Sequence, residues 1–170
     1  MSDTAKPTIA IAARSAIAFV LLLLSLTAGG REQTAMRFER VTIDDGLSQS
    51  AVHSIAQDRT GFMWFATENG LDRYDGATFR NYRRERGNPE SLSENFARDL
   101  EVAADGSVWV ATDGGGVSRW MPDTGKFVSW RHDPADGNSL ASDRTRTLLI
   151  DPRGFVWIGT RGAGLDRLDV

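Results

Sequence analysis

A basic side chain stands eleven residues before a tryptophan at three places in this 170-residue sequence. The three basic residues are His53, Arg98 and Arg146. An arginine guanidinium is a rigid fork of hydrogen-bond donors, which suits the oxygens of an anion or a sugar. We predict that the three side chains bind an anionic or sugar ligand at one end of the fold. Ordinary solvated residues at strand ends give the same pattern, and this alternative stays open.

Four more polar residues follow the strands that contain the tryptophans. They are Glu68, Asn69, Asp113 and Arg161. In an antiparallel sheet, the turn after a second strand lies at the end where the first strand begins. These four residues are therefore predicted at the same ligand site.

The sequence predicts no catalytic residues, no metal centre and no cofactor. The chain has no cysteine, which removes disulfides, thiolate metal sites and thiol nucleophiles. His53 and His132 lie at different repeat positions, which argues against a zinc pair. Asp44, Asp45 and Asp113 are expected to form turns rather than a cation site.

Two other features suggest ligand chemistry, but each has a structural explanation. The glycine-rich stretch "DGGGVS" at 113–118 lies between two predicted strands, whereas a dinucleotide-binding loop opens a helix. Trp120 and Trp130 lie on the third and fourth strands of the second unit, where exposed indoles would stack on a sugar. We predict instead that both indoles pack under the next unit.

A repeated phrase centred on tryptophan defines the elements that position these residues. "DRTGFMWFAT" at 58–67 returns as "ADGSVWVAT" at 104–112 and "DPRGFVWIGT" at 151–160, and the tryptophans are 45 and 48 residues apart. The repeat residues predicted to be structural are Gly61, Trp64, Gly106, Trp109, Gly154 and Trp157. Periods of this length are typical of blades, solenoids or arrays.

Each unit is predicted to contain four strands. In the first unit these span 52–57, 62–66, 71–74 and 78–82, with glycine-containing turns between them. The second strand is apolar throughout, which indicates burial on both faces. These features predict an all-β fold, a partial β-propeller of four-stranded antiparallel blades with each tryptophan packed between blades.

The repeat also predicts the domain boundaries. Blade 1 spans 47–91, blade 2 spans 92–139 and a partial blade 3 spans 140–170, while 36–46 resembles an orphan outermost strand. That strand is predicted to pair with a blade at the far end of the chain. Because propellers have about 4–8 blades, we expect the remaining blades of a longer protein to be partners of this fragment. Assembly from several copies is the alternative.

The first thirty residues have a different composition. Lys6 and Arg14 precede an uncharged stretch from Ser15 to Ala28, and small residues close it. This arrangement predicts a signal peptide at 1–30, with a membrane anchor helix as the alternative. The rest is then expected to be periplasmic or on the extracytoplasmic face of the inner membrane, with membrane contact only through this segment. A formal net charge of −3 predicts no nucleic-acid binding.

The repeats resemble those of the two-component regulator propeller family. The resemblance rests on 52–84, on copies that begin at Ala97 and Thr145, and on the linker "RHDPADGNSLAS" at 131–142. The second unit departs from the pattern, because Ala103 replaces the aspartate that the other units have at Asp58 and Asp151. Those two aspartates are therefore expected to form turns rather than to bind a ligand.

The resemblance implies the N-terminal part of a periplasmic sensor of a two-component or cyclic-di-GMP signalling receptor. Such a segment is non-catalytic by itself, and a kinase or cyclase output would lie beyond residue 170. A small molecule or an oligosaccharide is the implied ligand. The alternative is a fragment of an exported propeller enzyme, a hydrolase or lyase that acts on polysaccharide.

Overall fold

Three antiparallel sheets make up the chain in the computed structural model, which describes residues 36–169. The predicted signal or anchor helix at 1–30 lies outside the described residues. The first sheet contains β1 (Val52–Gln57), β2 (Met63–Thr67), β3 (Gly70–Tyr74) and β4 (Phe79–Tyr82). The second contains β5 (Ala97–Val102), β6 (Val108–Thr112), β7 (Val117–Trp120) and β8 (Phe127–Trp130). The third contains β9 (Thr145–Ile150), β10 (Val156–Thr160) and β11 (Leu165–Leu168).

The strands of every sheet are paired in chain order, so each sheet is a simple meander. β5 packs against both β1 and β9, which makes the first strands of the three sheets neighbours. This is the arrangement of consecutive propeller blades around a shared axis. The predicted partial β-propeller, with two four-stranded blades and a third of three strands, is confirmed.

Hydrophobic cores lie between consecutive blades. Between blades 1 and 2, Trp64 and Leu71 are fully buried with Val108 and Val110. Between blades 2 and 3, Trp109 is buried in a cluster that includes Val156 and Ile158. Trp64 and Trp109 are therefore packed between blades, as predicted.

Burial along the second strands follows the number of neighbouring blades. All five residues of β6, in the middle blade, are buried. In β10 of blade 3, Val156 and Ile158 are buried against blade 2, whereas Trp157 on the opposite face is half-buried. The apolar pattern of the second strands predicts burial on both faces. In the described chain, β6 of the middle blade is buried on both faces, and β10 on one.

The turn between the first and second strands contains a glycine in every blade. Gly61, Gly106 and Gly154 have φ values of 93°, 85° and 94°. This left-handed conformation is strained for residues with a Cβ, which explains why glycine recurs here. The threonine three residues after each tryptophan ends the second strand, as predicted.

Asp58 and Asp151 form the turns, as expected, and each also accepts a hydrogen bond from its tryptophan. The Asp58 Oδ2 to Trp64 Nε1 distance is 2.8 Å, and the Asp151 Oδ2 to Trp157 Nε1 distance is 3.2 Å. Burial opposes ionisation of Asp151, but bonds from Trp157, Arg153 and two backbone N–H groups outweigh it and lower its pKa to about 2. Both aspartates are therefore internal acceptors that tie the turn to the second strand.

The linker between blades is tied to the third strand by one recurring bond. A buried leucine is followed by a residue whose backbone N–H donates to a side chain of that strand. The bonds are Ser48 N to Asp72 Oδ2 at 2.8 Å, Ser93 N to Ser118 Oγ at 3.2 Å, and Ala141 N to Asp166 Oδ2 at 3.0 Å. Asp72, which is fully buried, also accepts from Asn81 Nδ2 at 2.7 Å. This bond explains why the sequence keeps a polar residue inside the third strand.

Two details differ from the sequence predictions. Ile43–Asp45, inside the predicted orphan strand 36–46, form a 3₁₀ turn with Thr42 as its N-cap, and Asp45 accepts from the Thr42 N–H. Residues 36–42 are not in a strand in the described chain, and a strand needs a partner for its backbone groups. Pairing of this segment with a distant blade stays a prediction.

The second difference concerns Trp120. This indole packs on the preceding blade rather than under the next one, with its ring centroid 4.8 Å from that of Trp64. Trp130 does face the next blade, where it stacks on Trp109 at 5.0 Å and contacts the core between blades 2 and 3. Alternate residues of a strand point to opposite faces, so Trp120 and the third-strand residue Val117 face different blades.

Candidate functional site

The predicted basic residues lie at a backbone irregularity that recurs in all three blades. The register between the first and second strands shifts between Val52 and Ser54, between Ala97 and Asp99, and between Gly159 and Thr160. At each shift, one first-strand residue has no Cα partner on the second strand. These residues are His53, Arg98 and Arg146. A β-bulge re-aims the side chain of its extra residue and is enriched next to functional sites. The fold thus presents one basic side chain from each first strand at the same level of the axis.

His53 and Arg98 are each held by a carboxylate and by one shared aromatic ring. His53 Nε2 lies 3.4 Å from Glu68 Oε1, and its ring stacks on Phe96 with centroids 5.3 Å apart. The Arg98 guanidinium carbon lies 3.8 Å from the centroid of the same Phe96 ring. Phe96 therefore fixes basic groups from two adjacent blades.

Arg98 also forms an ion pair with Asp113. Arg98 Nη2 lies 2.6 Å and its Nε 3.2 Å from the same oxygen, Asp113 Oδ2. The bond from Arg98 lowers the pKa of Asp113 against the effect of burial, and the charges of Arg146 and Arg161 lower it further. Asp113 is consequently ionised over the physiological pH range, and it lies close to basic groups of the third blade.

The third blade contributes arginines without carboxylate partners. Arg144, Arg146 and Arg161 are exposed and form no ion pair among residues 36–169. Backbone bonds hold this part together, since Asp113 forms an isolated bridge with Arg144 and the Arg161 N–H donates to the Arg144 carbonyl at 2.7 Å. The guanidiniums of Arg98, Arg146 and Arg161 thus all act on Asp113, and only Arg98 forms an ion pair with it among residues 36–169.

These residues form a surface that we call the mouth cluster. Its members are His53, Glu68, Phe96, Arg98, Asp113, Arg144, Arg146 and Arg161. Six of the seven predicted site residues belong to it. The seventh, Asn69, uses its side-chain amide to donate to the Ser48 carbonyl at 3.2 Å, within its own blade. A ligand-binding role for all seven stays a prediction.

Sequence reasoning missed Phe96 and Arg144. Both stand thirteen residues before a tryptophan, where the first unit has Ala51. Because the three residues at this position share no chemical character, the repeat alone gives no signal for them. Only the pairing of neighbouring blades shows that they complete the cluster.

The other candidates have local structural roles. His132 Nδ1 lies 2.6 Å from the Leu140 carbonyl oxygen in the linker before β9. The glycines at 114–116 form the hairpin between β6 and β7, and no helix follows them. Within residues 36–169, no group of three or more side chains is arranged to hold a metal ion.

Two larger cavities lie at the opposite end of the blades. One of 660 Å³ is lined by the ends of the first strands, including Gln57, Glu101 and Ile150. Burial and the nearby charge of Asp99 raise the pKa of Glu101. The other cavity, of 680 Å³, lies between the turns of blades 1 and 2. The mouth cluster, by contrast, is a charged surface and not an enclosed pocket.

The repeats match a known family at two places. The family described as two component regulator propeller matches residues 46–69 and 139–162, in blades 1 and 3. The chain superposes with a TM-score of 0.72 and 29% identity on the extracellular domain of a protein assigned as a hybrid two-component system from B. thetaiotaomicron, over 78% of this chain and 19% of that one. The repeats of blades 1 and 3 are thus of the two-component regulator propeller type, and the chain is similar to members of that family.

Other relatives agree with this assignment of the propeller. A second extracellular domain of a B. thetaiotaomicron hybrid two-component system aligns with a TM-score of 0.59 and 26% identity, again over 78% of this chain and 19% of that one. A histidine kinase from Formosa agariphila is 43% identical over 76 residues, which are 45% of this chain and 5% of that protein. This propeller segment thus spans a small part of the length of the proteins it resembles.

The propeller family match omits blade 2, the unit that departs from the repeat. Its turn has Ala103 in place of the aspartate, and Asp105 takes over the turn by accepting from the Ser107 backbone N–H at 2.9 Å. A change of the turn acid thus leaves the blade fold intact.

Proposed function

We propose that this propeller segment is part of an extracytoplasmic sensor and that it contacts an acidic ligand through the mouth cluster. The observation that carries the proposal is the bulge that repeats in three blades and leaves one basic residue of each first strand without a Cα partner at the same level. The surplus of guanidiniums over carboxylates favours a ligand with a carboxylate or a similar anionic group. An acidic oligosaccharide or a small organic acid fits this chemistry.

The same site supports binding rather than catalysis. Arg98 and Asp113 neutralise each other in an ion pair, and His53 is engaged by Glu68 and Phe96. Residues 1–30 have the composition of an export signal, and two structures similar to this chain are extracellular domains, which supports an extracytoplasmic location. No helix within the described residues is long and apolar enough to cross a membrane. We propose in addition that a kinase or cyclase output lies elsewhere in the protein.

The test is a calorimetric titration of the purified chain with two disaccharides of the same linkage, one containing a uronic acid and one neutral. We expect the acidic disaccharide to bind and the neutral one to bind at least about tenfold more weakly. The double variant Arg146→Ala/Arg161→Ala removes two guanidiniums that have no ion-pair partner in the described chain. It should weaken binding of the acidic disaccharide about tenfold or more without a loss of stability.

Arg86→Ala is the matched control, because Arg86 is an exposed arginine in the connection between β4 and β5. Its binding should equal that of the unmodified chain. Equal binding of the two disaccharides, or an unchanged affinity in the double variant, would contradict the proposed site.

A further inference from the structure

A groove between blades 1 and 2 has unpaired donors in its wall. It is the cavity of 680 Å³ at the end of the blades opposite the mouth cluster, and we call it the inter-blade groove. Turns from both blades line it, together with Arg73 on β3 and Trp120 on β7. It shares no residue with the mouth cluster, so ligand binding there is independent of the proposed sensor function.

The unpaired donors are Arg73 Nε and Trp120 Nε1. Both atoms are buried, and neither has a hydrogen-bond partner within the described residues. The Trp120 residue as a whole is 6% exposed. The Arg73 guanidinium carbon lies 5.5 Å from the Trp120 ring centroid, so the guanidinium and the indole are neighbours. A buried donor without a partner is costly, so an acceptor that reached either atom would lower the free energy of the folded chain.

The second blade shows which acceptor is missing. Arg119 occupies the position of Arg73 in the repeat; its Nε donates to Ser107 Oγ at 3.0 Å, and its Nη2 pairs with the Asp105 carboxylate. The corresponding residues in blade 1, two and four positions before the tryptophan, are Phe62 and Thr60. Arg73 lies over the Phe62 ring at 3.6 Å and forms no ion pair among residues 36–169. Blade 1 therefore keeps the guanidinium but lacks the carboxylate and the hydroxyl group that satisfy it in blade 2.

Blade 3 lacks the same acceptors, but there the arginine donors are not buried. Arg167 also lacks these acceptors, since Phe155 and Arg153 hold the two positions. Arg167 is exposed, however, so water can satisfy its donors. Arg73 is partly covered by blade 2, and its Nε is removed from water.

The charges around the groove favour an anion of low charge. Arg59 and Arg80 line it together with Arg73, and they face Asp58, Asp105 and Asp123. Asp58 already accepts from Trp64, and Asp105 is paired with Arg119. Three nearby carboxylates oppose a dianion such as phosphate more strongly than a monoanion.

We propose that the inter-blade groove binds the carboxylate of a small organic acid. The carboxylate takes the place that Asp105 has beside Arg119, accepting from the Arg73 guanidinium and from Trp120 Nε1. Arg80 adds positive charge on the open side of the groove. This is a second ligand site, built from a gap in the repeat and separate from the axis of the propeller.

The experiment is an NMR titration of the purified ¹⁵N-labelled chain with acetate, with ionic strength held constant by sodium chloride. The sequence has five tryptophans, so the indole N–H signals are few and can be assigned by single Trp→Phe variants. We expect a saturable downfield shift of the Trp120 indole proton with a dissociation constant in the millimolar range. Inorganic phosphate should bind about fivefold more weakly than acetate or worse.

Three variants make the result decisive. Arg73→Gln removes the guanidinium, and Thr60→Asp supplies an internal carboxylate at the position of Asp105, so both should abolish the saturable shift. Arg167→Gln is the matched control in blade 3 and should leave it unchanged. No saturable shift of Trp120 with acetate in the unmodified chain, an equal shift in Arg73→Gln, or phosphate binding as tight as acetate binding would overturn the proposal.

Discussion

Replacing Trp64 with alanine lowers the free energy of unfolding by about 3–5 kcal/mol, the usual cost of deleting a buried aromatic side chain. Trp64 has no exposed surface and contacts Trp120 of the next blade, Tyr82 of its own blade, and Asp58 through its indole N–H. Its removal leaves a cavity at the contact between two blades. Denaturant unfolding followed by circular dichroism measures the loss as a lower midpoint.

Trp157→Ala is the matched control for this prediction. Trp157 holds the same repeat position and donates to Asp151, but its face is only half-buried in this chain. Its replacement should cost about 1–2 kcal/mol, because less apolar surface returns to water. Equal losses in the two variants would mean that packing against a neighbouring blade does not stabilise the tryptophan.

Gly116→Ala is the second large effect, expected to lower the free energy of unfolding by about 3 kcal/mol or more. Gly116 precedes β7 with φ at +72°, and an added Cβ would overlap the Trp130 carbonyl oxygen of β8. The substitution therefore combines left-handed backbone strain with a clash against the fourth strand. The same unfolding measurement applies.

Gly164→Ala separates these two contributions. Gly164 is the equivalent residue of blade 3 and has φ at +88°, but nothing lies within 4 Å of an added Cβ. Only the backbone strain remains, so we expect a cost of about 1 kcal/mol. If Gly164→Ala were as damaging as Gly116→Ala, close approach of the fourth strand would not explain the glycine.

Local sequence signals are sufficient to predict the positions of the strands. The predicted strand 52–57 coincides with β1, and the prediction 62–66 differs by one residue at each end from Met63–Thr67. Apolar runs and glycine turns encode these elements within a few residues, so no tertiary information is needed. The period then predicts the blade, because only a neighbouring copy can cover the second strand.

Features that depend on two blades could not be predicted in this way. The alternation of β7 places Trp120 on one face, but it does not say which neighbour covers that face. The bulges at His53, Arg98 and Arg146 are properties of register, which involves two strands. The role of Phe96 could not be predicted either. Its ring contacts basic groups of two blades, and the residues at its repeat position in the three units differ in chemical type.

The contacts of Trp64 and Trp109 with the next blade test the propeller arrangement most directly. If consecutive units are neighbouring blades, nuclear Overhauser spectra should contain cross-peaks between the ring protons of Trp64 and Trp120, whose centroids are 4.8 Å apart. Trp109 should likewise give cross-peaks to the methyl groups of Val156 and Ile158 in the next blade. Spectra in which Trp64 and Trp109 contact only residues of their own units would contradict the propeller arrangement and the mouth cluster that depends on it.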